Sequence, residues 1–280
     1  MKMLFYGTVK RLLDLLAGRN QEVNLDQAAL ELAEVEFPGL AIEPFLGLLD
    51  SHAAELSERI IGSISGLDFV TTANRYLFEE LGFRGNASNY YDARNSCLNE
   101  VLTARAGIPI TLSLVYIEIA RRLGKPVRGI GLPGHFVVRY DDGVYSTFID
   151  PFNGGQLLTA EECFTLARTA SGVELELDSR ALEPVSKRQI MFRMINNLRR
   201  AYQERGATGK ALEILSLLLQ ANPNSAEEYR QRGLIHLQAE HMTAARADLT
   251  RYLELAPEAP DRSHIEEHLR SIQRWLAAIN

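Results

Sequence analysis

Cysteine is scarce in this sequence, which contains only Cys97 and Cys163 among its 280 residues. Two cysteines cannot build the disulfide framework of small secreted domains, and a reducing compartment is the simpler setting for them. A chain of this length buries a large core without disulfides or a structural metal. We therefore expect a soluble cytoplasmic protein of one large or two ordinary domains.

Basic residues are outnumbered, with 30 Lys and Arg against 36 Asp and Glu and a net charge of −6. Direct nucleic-acid binding needs a basic stripe, so the composition argues against it. No apolar run reaches the roughly 20 residues that span a membrane. The N-terminal stretch is interrupted by Lys10, Arg11 and Asp14, so it predicts an amphipathic helix rather than a signal peptide or a membrane partner.

Helical periodicity gives way to strand periodicity near the middle of the chain. Helices are predicted near residues 25–37, 43–62, 68–81 and 97–106, and a central, strongly apolar helix over 111–123. Strands are predicted over residues 127–132, 135–140 and 144–149, followed by a helix over 159–170 and a strand or edge segment over 173–182. The order predicts an α+β domain with a helical N-terminal region and a small antiparallel sheet.

From Ser186 onward the pattern is helical only, and it repeats. Pro223 recurs as Pro257 and Ala211 as Ala245, a spacing of 34 residues that is typical of tetratricopeptide repeats. Two repeats and a last helix over Arg262–Ile279 would form a short all-α array. We place the domain boundary near Glu183-Pro184, which gives domains 1–184 and 185–280.

A histidine and an aspartate stand at facing ends of the predicted hairpin. If Asp142-Gly143 forms a two-residue turn, His135 pairs with Asp150, and a three-residue turn leaves them diagonal. The carboxylate would then fix the imidazole tautomer, and a thiol beside the pair would complete a nucleophile, base and orienter. Cys97 begins a helix, where the dipole lowers a thiol pKa.

A purely structural interpretation of the same residues stays open. His135 can donate to a backbone carbonyl, Asp150 can bind turn amides, and a cysteine at a helix start is often a small core residue. Cys163 fits the core interpretation best. Gly129-Ile130-Gly131 is too sparse for a dinucleotide site, and His264 and His268 lack a third metal ligand, so we expect no cofactor and no metal.

The first helix of each repeat would line a concave groove. Its polar positions are Arg193, Asn196, Arg200, Gln203 and Arg230. Because arginine pairs bidentately with carboxylates, this face predicts a protein or acidic-peptide partner. A plain solvated face is the alternative.

Four stretches, residues 95–102, 107–114, 133–139 and 149–155, resemble the SirB-type bacterial proteins. The resemblance implies a transglutaminase-like (papain-like) core followed by tetratricopeptide repeats. In transglutaminase-like proteins a cysteine opens the central helix and the next strands supply the histidine and aspartate, which His135 and Asp150 match. Here Ile108-Pro109-Ile110 opens that helix, without a cysteine.

Two functional hypotheses follow from the resemblance and the residues. In the first, the chain is a non-catalytic or vestigial scaffold that binds a protein or peptide through its helical array, with a regulatory role. In the second, it is a cysteine-dependent hydrolase or acyl-transferase in which Cys97 attacks, His135 is the base and Asp150 orients it.

Overall fold

The computed structural model describes residues 9–20, 22–62, 65–172 and 178–279. The chain forms two compact units, one ending at Leu198 and the other beginning at Arg199. This division lies after the predicted boundary at Glu183-Pro184. The reason is that Val185 N donates to Gly129 O at 2.9 Å and the buried Ile190 packs nearby, which ties the following helix to the first unit.

The described part of the first unit begins with a helical region, as predicted, and residues 1–8 of the predicted N-terminal helix lie outside the described residues. Its helices are α1 (Lys10–Leu16), α2 (Leu25–Ala33), α3 (Glu43–Arg59) and α4 (Gly66–Asn74), which continues as a π-helical turn over Arg75–Glu80. Ser65 and Asp68 form a reciprocal capping box at the start of α4. At the start of α1, the Leu12 amide instead donates to the buried Glu31 carboxylate at 2.8 Å.

The predicted central helix is α6 (Pro109–Arg122), preceded by α5 (Leu98–Ala104). Residues 109–120 of α6 are all buried, as its continuous apolar face requires. Pro109 occupies the first turn, where no amide is needed. Thr111 fixes this start, because its hydroxyl accepts from Ile108 N at 3.1 Å and donates to Asn95 O at 2.8 Å. A short parallel pair, β1 (Arg84–Gly85) and β2 (Ala106–Gly107), precedes α6.

The main sheet is antiparallel, in the order β3 (Val127–Ile130), β4 (Val137–Asp141), β5 (Ser146–Asp150) and β6 (Gln156–Leu158). Strand β6 was not predicted. The predicted hairpin register was wrong, since Val138 faces Ile149, which leaves a four-residue loop over 142–145. The Asp142 carboxylate binds the amides of Val144 and Tyr145 and so widens the loop.

Helix α7 (Ala160–Ser171) follows the sheet and matches the predicted helix over 159–170. Residues 173–177 of the predicted edge segment lie outside the described residues. Its later part was wrong, because Ser179–Leu182 forms a 3₁₀ turn capped by the Asp178 side chain.

Helices follow: α8 (Lys187–Glu204), α9 (Thr208–Ala221), α10 (Ala226–Gln238), α11 (Met242–Leu255) and α12 (Arg262–Ile279). The repeated Ala211 and Ala245 are buried, as the repeat pattern predicts. Gly233 lets α10 approach α11, because a Cβ there would meet Leu249 at 2.8 Å. Among the described residues, none of the helices combines the length and apolarity needed to cross a bilayer.

The second repeat carries an ion pair where the first repeat is apolar. Arg232 and Asp248 occupy the positions of Leu198 and Ile214, and two 2.7 Å hydrogen bonds join them. Arg232, which stands where the first repeat has an apolar residue, therefore has a partner on the next helix.

Candidate functional site

His135 and Asp150 meet beside the main sheet, as predicted. Nε2 of His135 lies 3.0 Å from Oδ2 of Asp150. The two side chains come from the residues before β4 and at the end of β5, and they are 6% and 1% exposed. The structure therefore brings together an imidazole and a carboxylate that can orient it.

The Asp150 carboxylate is also the cap of a turn. Its Oδ1 accepts from the amides of Phe152 and Asn153 at 3.0 and 3.3 Å, and its Oδ2 accepts from Asn153 Nδ2 at 2.8 Å. Burial alone would raise the pKa of Asp150, but the hydrogen bonds and charge of His135, together with Asn153, outweigh burial and lower it. The carboxylate is therefore held ionised at neutral pH.

Asn153 was missed in the sequence as a member of this site. The pattern that could have revealed it is the Asp-Pro-x-Asn turn at 150–153, in which an aspartate side chain commonly binds the amides ahead of it.

An aromatic cluster borders the pair on one side. The Phe152 ring contacts the His135 ring edge-on at a centroid distance of 6.0 Å, and Tyr90 contacts Phe152 at 6.1 Å. Tyr91 stands against Tyr90 at 5.4 Å. Tyr90 and Tyr91 are 36% and 45% exposed, so aromatic surface leads from the solvent toward His135.

Arg193 lies at this site rather than on a repeat groove. Its guanidinium donates to the backbone oxygen of His135 and lies 5.4 Å from the centre of the Phe136 ring. This corrects the predicted groove position. The cause is the attachment of the first turns of α8 to the first unit. Asn196 precedes the unit boundary as well, and it is exposed.

Cys97 is fully buried, and its thiol donates to the backbone oxygen of Ala93 at 3.5 Å. Cys97 directly precedes α5 and makes no capping hydrogen bond with its side chain, whereas the central helix α6 begins after Ile108. A thiol in this position is inaccessible to a substrate in the described conformation, so the predicted nucleophile is not presented at the surface.

Cys163 belongs to the core, as its pattern predicted. It packs in an apolar cluster with Leu132, Val137 and Ala167. Burial first, and then the charge of Asp150, raises the pKa of Cys163 to about 12. This thiol is therefore protonated at neutral pH and unsuited to nucleophilic attack.

Three predicted groove residues lie in the second unit. Arg200 and Gln203 are exposed at the end of α8. Arg230 instead binds this chain's own Asp261, with Nε 2.6 Å from Oδ2. The sequence predicted that Arg230 binds a carboxylate of a partner. In the structure, Arg230 binds the Asp261 carboxylate of its own chain. No group of three or more metal-ligating side chains is found in the described ranges.

Sequence comparison assigns the two units to known classes. Residues 43–196 match the transglutaminase-like superfamily, and residues 198–270 match the tetratricopeptide repeat. The chain belongs to the transglutaminase-like superfamily. This agrees with the α+β core, the central helix and the His135–Asp150 pair.

Within that class, the chain belongs to the UPF0162 proteins. It is 38% identical over 255 residues to the UPF0162 protein of Xylella fastidiosa (strain 9a5c), covering 89% of this chain and 90% of that protein. The UPF0162 protein of Pseudomonas aeruginosa is 28% identical over 245 residues, covering 88% and 89%. F-box only protein 21 of Mus musculus is 34% identical over 133 residues, which are 45% of this chain and 20% of that protein.

Proposed function

We propose that this protein is a non-catalytic, transglutaminase-like scaffold that binds a protein or peptide partner through its tetratricopeptide unit. The observation that carries the proposal is the state of Cys97. The Cys97 thiol is completely buried and donates a hydrogen bond to Ala93 O. It lies at the start of α5, not at the start of α6. An attacking sulfur must be a thiolate with access to its substrate.

The His135–Asp150 pair has a structural role that needs no thiol. Asp150 accepts four hydrogen bonds, three of them from Phe152 and Asn153 in the turn after β5. A buried charge is tolerated when its acceptors are filled in this way. The pair thus fastens the start of β4 to the end of β5 and keeps the loops around it in place.

The tetratricopeptide unit supplies the binding surface in this proposal. Tetratricopeptide repeats typically mediate contacts between proteins, and their first helices form the concave face. Arg200 and Gln203 are exposed on α8 and offer hydrogen-bond donors to a carboxylate. We expect an acidic peptide segment as the partner and, with two buried thiols and no disulfide between them, a cytoplasmic setting.

Alkylation of the full-length chain tests the loss of thiol chemistry. We expect iodoacetamide at neutral pH to label Cys97 as slowly as Cys163, at a rate that tracks protein opening, with both sites followed by peptide mass spectrometry. The His135→Gln variant should leave the ratio of the two rates unchanged. Rapid labelling of Cys97 alone, lost in His135→Gln, would establish the hydrolase or acyl-transferase hypothesis instead.

A charge-reversal variant tests the binding surface. A quantitative pull-down at low salt compares how much partner each protein retains. The full-length protein with Arg200→Glu and Gln203→Glu should lose a partner that the unmodified chain retains. The Arg128→Glu variant is the control, because Arg128 is exposed on β3 in the other unit. Equal retention by all three proteins would remove α8 from the proposal.

A further inference from the structure

Arg193 is a half-buried cation without an internal counter-charge. In the part of the chain that the structure describes, its only hydrogen bond goes to His135 O, and no Asp or Glu forms an ion pair with it. Burial lowers the pKa of Arg193, and the neighbouring Tyr90 phenol offsets this effect only in part. Its guanidinium also faces the Phe136 ring.

Another inward-facing arginine of the first unit is neutralised in full. Arg122 donates to Asp26 at 2.7 Å, to Asp50 at 2.6 Å and to Glu118 at 3.1 Å. Removing a cation from water is costly unless an anion and filled hydrogen bonds compensate for it. Arg193, beside His135, lacks that compensation among the described residues, and a bound anion would supply it.

The side chains around Arg193 indicate which chemical group would carry the anion in a ligand. Tyr90 and Phe152 present rings on the way from the solvent to His135, and Tyr91 extends this surface outward. Aromatic faces and edges bind planar groups by stacking and edge-to-face contact. Nε2 of His135 is engaged by Asp150, which leaves its Nδ1 as the ring nitrogen available to a ligand.

We infer that Arg193, His135, Tyr90 and Phe152 form a binding site for a carboxylate joined to a planar group. Arg193 binds the carboxylate through its unused N–H groups, since a guanidinium fork matches a carboxylate. The aromatic rings hold the planar part. This site lies in the first unit and does not depend on partner binding by the tetratricopeptide unit.

A matched pair of probes tests the site on the full-length protein. Benzoylglycine carries the carboxylate and the ring, and benzoylglycinamide differs only in lacking the charge. We expect calorimetry and thermal unfolding to show binding of the acid and none of the amide. Arg193→Gln should weaken binding of the acid by about tenfold or more, the loss of one charge-assisted hydrogen bond. Arg128→Gln, an exposed arginine on β3, should bind like the unmodified protein.

Two further variants separate binding from folding, because Arg193 also contacts the His135 backbone. Arg193→Lys keeps the cation and should retain weakened binding of the acid. Tyr90→Ala should weaken the binding of benzoylglycine. The binding of acetate, which has no ring and should bind more weakly than benzoylglycine, should not change. A peptide ending in Gly-Phe is tested in the same way, as free acid and as amide. Binding of its free acid alone would identify a peptide C-terminus, rather than a small free acid, as the ligand. The inference is overturned if acid and amide behave alike at millimolar concentration, or if folded Arg193→Gln binds benzoylglycine normally.

Discussion

Nε2 of His135 is 3.0 Å from Oδ2 of Asp150, although His135 precedes strand β4 and Asp150 ends strand β5. Val138 faces Ile149, so the same register carried one step further sets Val137 opposite Asp150, and His135 lies two residues beyond. A shift of two residues keeps both side chains on the same face of the hairpin. The turn at 150–153 holds the carboxylate in place, and the carboxylate then holds the imidazole.

Asp150→Ala should destabilise the protein strongly. It leaves the imidazole, two amides and the Asn153 side chain without their acceptor, which costs about 3–5 kcal/mol for a buried charged partner. Asp150→Asn keeps one acceptor oxygen and should cost about 1.5–3 kcal/mol. Urea denaturation at pH 7 measures both. Equal stability of the unmodified protein and Asp150→Ala would contradict the structural role of the pair.

The same carboxylate predicts a dependence on acid. The folded-state pKa of Asp150 lies below its unfolded value, so its stabilising contribution is complete above about pH 4 to 5 and is lost as the pH falls through the lowered pKa. The free energy of unfolding should therefore fall more steeply below about pH 4 in the unmodified protein than in Asp150→Asn. Urea denaturation of both proteins over a series of acidic buffers measures the two slopes.

Local patterns predicted the elements and the contact of His135 with Asp150. The spacing of apolar residues predicted the helices, and the recurrence of residue types every 34 positions predicted the repeats. Both signals can be read from the order of residues along the sequence. The hairpin register failed, because the Asp142 side chain binds the amides of Val144 and Tyr145 and lengthens the loop. The residue types at 141–143 alone do not distinguish a two- or three-residue turn from the four-residue loop over 142–145.

The surroundings of His135 could not be predicted from local patterns. Arg193 is far from His135 in the sequence, and its place depends on how the first turns of α8 attach to strand β3 through Val185 and Gly129. Tyr90 contacts Phe152 only because a loop before α5 folds back toward the turn after β5. Such contacts are properties of the packed unit.

Glu31 should make the stability fall as the pH rises through neutrality. Burial raises its pKa to about 7, against the hydrogen bond from Leu12 N and the charge of Arg11. The folded state therefore holds this proton more tightly than the unfolded state, and the stabilisation present below about pH 4.5 is lost as the pH rises through about 7, by about 3 kcal/mol at most. Glu31→Gln keeps an acceptor for Leu12 but does not titrate, so its unfolding free energy should change less between pH 5 and 8.

The exposed Glu58 on α3 provides the control for Glu31. Glu58→Gln should reproduce the pH profile of the unmodified protein in urea denaturation. If Glu31→Gln also reproduces it, Glu31 is not the group responsible for the slope.

The Arg232–Asp248 pair should behave as a replaceable buried ion pair. Arg232→Leu leaves Asp248 buried without its cation and should cost about 3–5 kcal/mol. The double variant, Arg232→Leu with Asp248→Ile, introduces the apolar residue types that the first repeat has at these two positions. That double variant should be as stable as the unmodified protein or more so. A double-mutant cycle in urea measures the coupling, and additive losses would show that the pair does not act as a unit.

Gly134→Ala should disturb the site more than a glycine change at the hairpin tip. Gly134 has a φ of 69°, and a Cβ there would lie 2.6 Å from the backbone carbon of Ala170. Gly143 has a φ of 85° with open space around it, so Gly143→Ala reports the cost of the left-handed backbone alone, about 1–2 kcal/mol. Gly134→Ala adds overpacking of about 1–3 kcal/mol and must move His135 or the end of α7. Thermal unfolding and the NMR shift of the His135 ring test this, and equal effects of the two variants would show that Gly134 matters only for its backbone conformation.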